Sequence, residues 1–170
     1  MKFVESTFEV QKEKFTIIYE AMNICEPSHC VDNWQFTDEH KGGVTIKVKN
    51  AERNSYKYAI PTHYPLSQLT SDYAKQGRDN PSLEAYKSLQ DELERDLQAN
   101  NYILYASVVD AEGNTVLNSF SLAYGFDWCY LDGEDLDSRL KEEVSNSGAE
   151  EEVLERLEDL KDSVMNIFNI

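Results

Sequence analysis

The run YILYASVV, Tyr102 to Val109, constrains this chain more than any other stretch. A segment so apolar, and so rich in aromatic and β-branched side chains, suits a strand covered on both faces. Such a strand demands other elements to cover it. The sequence DAEGN that follows has good turn chemistry and leads into Thr115 to Tyr124, where Val116, Phe120, Leu122 and Tyr124 share one face. The pair predicts a hairpin.

Upstream, Asn80 is a good N-cap and Pro81 suits the first helical position, while Leu83, Tyr86, Leu89, Leu93 and Leu97 sustain one apolar face. This is the clearest helix in the chain. The preceding IPTHYPLSQLTSDYAKQGRDN reads as loop with one short helix over Leu66 to Ala74. Earlier still, Trp34 and Phe36, the turn-like DEHKGG, the alternation of Val44, Ile46 and Val48 with Thr45, Lys47 and Lys49, the turn NAERN and then SYKYAI predict three strands in a meander ending at Pro61. At the start, STFE (Ser6 to Glu9) has the capping-box pattern ahead of Val10, Phe15, Ile18 and Met22, which predicts a helix from about residue 6 to 23. Its rival is a strand through FTIIY.

Two helices fit the tail: Glu134 to Val144, with Leu136, Leu140 and Val144 in line, and Glu150 to Phe168 after the linker SNSGA. The expected fold is therefore α+β, an antiparallel sheet of about five strands (a three-strand meander plus a hairpin) packed with helices. The 170 residues are expected to form a single domain, with 133–170 a helical acidic subregion.

Charge narrows the function. With 16 Lys and Arg against 32 Asp and Glu the net charge is −16, which argues against binding anionic membranes or nucleic-acid phosphates and favours basic partners. Residues 1–60 hold nine acids and eight bases, residues 61–126 nine and four, and residues 127–170 fourteen and four. Most of the excess lies in the last quarter. No stretch approaches the roughly 20 apolar residues of a membrane span, and MKFVESTFEVQKEKF lacks the pattern of a signal peptide, so a soluble cytoplasmic protein is expected.

In the last helix Val153, Leu157, Leu160, Val164 and Ile167 recur by threes and fours, so this face must bury against something. Glu150, Glu151, Glu155, Glu158, Asp159 and Asp162 occupy the rest. An ordinary solvated face looks like this; the sharper reading is that the carboxylates imitate phosphates and fill a basic groove on a partner. Duplex DNA as long as an 18-residue helix, about 27 Å, carries about 16 charges. Gly148 to Ile170 has seven acids and two bases, about a third of that density. Neighbours must then contribute, and Asp127, Asp132, Glu134, Asp135, Asp137, Glu142 and Glu143 are the candidates. The aromatic cluster YGFDWCYL favours core packing; Phe126, Trp128 and Tyr130, where exposed, would be anchors inside an acidic rim of Asp127 and Asp132.

Other chemistry has weaker signals. Cys25, His29 and Cys30, with Cys129, are soft ligands whose spacing matches none of the usual structural zinc patterns, so no metal and no cofactor are expected. His40 and His63 lie in loops, and a small enzyme using His63 or the Cys25 to Cys30 loop is the remaining catalytic option. There is no calcium loop in register, no Walker loop, no GxGxxG and no HExxH.

In overall character a short acidic chain of this kind resembles the inhibitors by which phages and mobile elements imitate DNA to block restriction, CRISPR or other nucleic-acid-binding machinery. That likeness is one of composition and implies no site residues. The leading expectation is a binding protein, not an enzyme, that inhibits or regulates a basic nucleic-acid-handling protein through residues 127–162. The alternative is an assembly protein that forms a homodimer through Val153, Leu157, Leu160 and Val164.

Overall fold

The computed structural model describes residues 3–51 and 55–168; the turn expected at NAERN falls largely outside them. In chain order the elements are β1 (Phe3–Gln11), β2 (Phe15–Pro27), β3 (Trp34–Thr37), β4 (Ile46–Lys47), β5 (Tyr58–Pro61), α1 (Leu66–Lys75), α2 (Pro81–Gln98), β6 (Asn100–Asp110), β7 (Thr115–Trp128), α3 (Leu136–Asn146) and α4 (Ala149–Phe168). The class is α+β with antiparallel pairing. The described strands form two sheets, one of four in the order β1-β2-β6-β7 and one of three in the order β3-β5-β4. Two compact units result: residues up to Glu26 with those from Asn100 onward, and Pro27 to Ala99. No helix among the described residues is long and apolar enough to cross a membrane.

The helix expected over 6–23 is instead the hairpin β1-β2, with Gln11 opposite Thr16 and the Lys12 amide donating to the Phe15 carbonyl across the turn. The period of burial explains the correction. Ile17, Tyr19 and Ala21 are fully buried at a spacing of two, which a strand satisfies and a helix scatters. Ser6 does not cap a helix; it is buried and donates to the Asp137 carboxylate of α3.

In this first unit Tyr102, Leu104, Ala106 and Val108 of β6 join the β2 residues under Leu140 and Val144 of α3 and Ala149 and Val153 of α4. Only that face of β6 is sealed, since Ile103, Tyr105 and Ser107 between them are partly exposed. The β6-β7 turn forms as expected. Asp110 accepts from the backbone of Glu112 and Asn114 and from the Asn114 amide, and those bonds, the Asn114 side chain first, hold its carboxyl below the usual range.

Two positions make predictions. Gly125 of β7 lies so close to β6 that a Cβ there would meet the Tyr102 carbonyl oxygen at 2.7 Å. Because the obstacle is backbone, Gly125→Ala is expected to cost about 1–3 kcal/mol, read as a lower urea midpoint; an unchanged midpoint would contradict the packing described. Tyr19 is fully buried, yet its hydroxyl has no protein partner among the described residues. Burial, then the Glu150 and Glu151 carboxylates, push its ionisation far up. An unpaired buried hydroxyl costs about 1–3 kcal/mol, so Tyr19→Phe is expected to raise the melting temperature by about 2–4 °C per kcal/mol recovered. A lower melting temperature would mean that the hydroxyl is bonded after all.

In the second unit β5 lies between β3 and β4, not at the end of a meander, because Ala59 pairs with Phe36 on one side and Ile46 on the other. Trp34, Ile46, Val48 and Ala59 pack on Leu89 and Leu93 of α2. Leu83, placed on the apolar face by spacing, is exposed one turn before that contact begins. Asp96, on the same helix, is buried and accepts from the Trp34 indole at 2.8 Å.

Candidate protein-binding surface

Helix α4 has two sides with opposite duties. Its first turn carries Glu150, Glu151 and Glu152, where the helix dipole favours negative charge. Val153 is sealed in the core and Leu157 packs at its edge. At about 100° of turn per residue, Glu151, Glu155, Glu158, Asp159 and Asp162 fall within an arc of about 100° opposite Val153. All five are exposed.

Internal cations remove part of the charge. Lys12 pairs with Glu150 at 2.5 Å, Arg139 with Glu142 at 3.2 Å and Glu143 at 3.5 Å, Arg156 with Glu152 at 3.7 Å, and Lys161 with Glu158 at 2.5 Å. Glu151, Glu155, Asp159 and Asp162 have no cation within salt-bridge distance among the described residues. These four form the face without salt bridges, with Lys161 acting on Asp162 only at longer range. Glu158 and Asp162 still hold the Lys161 ammonium above its ordinary range, Glu158 through its hydrogen bond first.

An open groove runs beside this face, bounded by Tyr124 of β7, Gly148, Glu151, Glu152, Glu155, Asp159 and one cation, Arg156. Gly148 joins α3 to α4 at φ +73°, a conformation that side chains rarely adopt, and a Cβ there would come within 3.3 Å of the Tyr124 hydroxyl. Glu152 accepts from the Ala123 amide at 3.4 Å, and the Arg156 guanidinium lies 4.2 Å from the centre of the Phe120 ring. Glu152 was not among the candidates read from the sequence. Nothing in the string EEE distinguishes the carboxylate that turns toward β7 from its neighbours.

The acids before α4 have mostly local duties. Asp135 caps α3 by accepting from the Ser138 amide at 2.8 Å, which keeps its carboxyl low. Asp132 accepts from the Cys129 amide in the short turn Tyr130–Asp132, Asp137 holds Ser6, and Asp127 is half-buried. Glu134 is exposed, and its carbonyl accepts from the Trp128 indole at 2.9 Å. Phe126 is not a surface anchor, and Trp128 is half-buried. Phe126 is buried and stacks on Tyr102 at 5.5 Å, and Trp128 meets the same ring edge-on at 6.5 Å. Their strand places them on the covered face of the sheet. Tyr130 and Leu131, in the turn beyond the sheet, are the large apolar members of that cluster left exposed.

Elsewhere, no group of three metal-ligand side chains comes together among the described residues. Cys25 is exposed, Cys30 half-buried and Cys129 buried. His63 has both ring nitrogens engaged, by the Asn33 carbonyl at 3.2 Å and Glu92 at 2.8 Å, and His40 meets Thr45 at 3.2 Å. Comparison of the chain with protein-family models, with curated proteins and with solved structures finds no significant match.

Proposed function

We propose that this chain is a binding protein that inhibits or regulates a basic, nucleic-acid-handling protein through the acidic face of α4. The observation that carries the reading is the set Glu151, Glu155, Asp159 and Asp162: four exposed carboxylates on one helical face that form no salt bridge among the described residues. Glu151 and Glu155, and Glu155 and Asp159, are like charges four residues apart, each pair costing the helix about 0.2–0.5 kcal/mol. A surface kept only for solubility does not need that arrangement.

Spacing refines the chemistry of the partner. The four residues rise along the axis by about 6, 6 and 4.5 Å, against 3.4 Å per phosphate on one DNA strand. The face is thus coarser than a phosphate backbone. It suits lysines and arginines spread over a convex or loosely grooved surface, as on proteins that neutralise phosphates. Glu152 and the groove beside Tyr124 extend it on one side.

The test is capture from lysate on the immobilised full chain at low salt, with elution by rising salt. Basic proteins released as screening increases are expected. Retention that ignores ionic strength, or a captured set without basic proteins, counts against the reading.

A further inference from the structure

The apolar stripe of α4 outruns the core that it serves. Val153 is fully buried, whereas every residue from Glu158 to Phe168 is exposed, and none of them joins the core of its own unit. Leu160 is 38% exposed, Val164 44%, Ile167 73% and Phe168 67%. The sequence maintains the stripe past the point where the fold uses it. Of the residues expected to carry a homodimer, Val153, Leu157, Leu160 and Val164, Val153 is sealed in the core and Leu157 packs at its edge, while Leu160 and Val164 are exposed.

We infer that a second copy of this chain covers the free end of α4, the two helices meeting along Leu160, Val164 and Ile167. Beyond Leu157, the residues Leu160, Val164 and Ile167 recur by four and three, the a/d spacing of a seam between like helices. The seam also carries no acid. At about 100° per residue, Glu158, Asp159 and Asp162 all lie more than about 100° from its centre, and the charges nearest it are those of Arg156 and then Lys161. That ammonium is already held by Glu158 at 2.5 Å. Two chains of charge −16 meet here without apposing a carboxylate, whereas a basic partner finds no counter-charge beside the stripe.

The area sets the strength. Leu160, Val164, Ile167 and Phe168 leave roughly 400 Å² per copy, so a pair buries roughly 800 Å², below the about 1,200 Å² of a standard interface. The association is weak and reversible. Its salt dependence runs opposite to that of the acidic face, because screening lowers the repulsion between two like-charged chains.

Sedimentation equilibrium of the full chain, from about 10 to about 200 µM and at about 50 and about 500 mM salt, tests this. A monomer and dimer in equilibrium are expected, with dissociation at least about tenfold tighter at the higher salt. Ile167→Asp and Leu160→Asp should each leave a monomer with an unchanged melting curve; Ile167 touches no core residue, so its loss does not endanger folding. Neutralising Glu151, Glu155, Asp159 and Asp162 should leave the dimer intact while abolishing partner capture, which separates this inference from the reading above. A monomer throughout, a dimer that dissolves in salt, or one indifferent to both variants overturns it. So does a monomer whose α4 end binds an apolar dye in the wild type but not in Ile167→Asp, which would assign the face to another protein.

Discussion

Trp34→Ala is expected to lower the stability of the chain by about 5 kcal/mol, the largest effect of any single substitution considered. Two losses combine. Deleting a buried indole that packs on Leu89 and Leu93 costs about 3–5 kcal/mol. Removing its N–H also takes a donor from the buried Asp96 carboxylate, which among the described residues keeps Arg95 at 3.7 Å, and such a loss costs about 1–3 kcal/mol. The sum rivals the whole stability of many domains, about 5–15 kcal/mol. Trp34→Phe separates the two contributions, since it retains most of the ring and loses the hydrogen bond. It is expected to cost about 1–3 kcal/mol. Urea unfolding followed by far-ultraviolet circular dichroism measures both variants. A cost under about 1 kcal/mol for Trp34→Ala would mean that this indole does not organise the unit of residues 27–99.

Replacing Glu151, Glu155, Asp159 and Asp162 together by their amides is expected to weaken partner binding at least about 100-fold, while stability rises by a few tenths of a kcal/mol. The two signs follow from the same geometry. In the isolated chain these carboxylates repel one another at helical spacings of three and four, and none forms a salt bridge among the described residues. Relief of that repulsion exceeds what Glu151 loses with the helix dipole and Asp162 with Lys161. In a complex each faces a cation in a partly desolvated setting, and four losses of about 0.7 kcal/mol each multiply to about 100-fold. The core is untouched, because all four side chains are exposed opposite Val153. A variant that is less stable than the wild type would make the four acids structural. Binding that survives the change would remove them from the interface.

What was legible in the sequence was local. Asp110 to Asn114 forms its turn because the carboxylate satisfies the loop amides within four residues. Helix α2 starts at Pro81 after Asn80 as the signal predicts, although the Asn80 side chain makes no capping hydrogen bond, and the periodicity of α4 places its acids on one side. What was not legible was which partner each face meets. The capping-box residues Ser6 to Glu9 lie in a strand, since burial of Ile17, Tyr19 and Ala21 against β6 outweighs a local preference. The meander order failed for the same reason, because β5 takes neighbours on both edges.

The site divides similarly. Spacing told which carboxylates share a face, but not which are neutralised: Lys12 reaches Glu150 across 138 positions of sequence. Phe126 and Trp128 were ambiguous because alternation assigns side chains to a face of the strand without saying which face α3 covers. The repeat in α4 likewise continues unchanged past Leu157, where the tertiary contact stops. Exposure of that end is a property of the fold.

The central claim is that Glu151, Glu155, Asp159 and Asp162 hold a basic protein. The most direct measurement compares what the wild type and the four-amide variant capture from one lysate at about 50 mM salt, with elution at about 500 mM. The account predicts basic proteins on the wild type, released by the salt and missing from the variant. The same proteins on both, or proteins that stay bound through the elution, would contradict it.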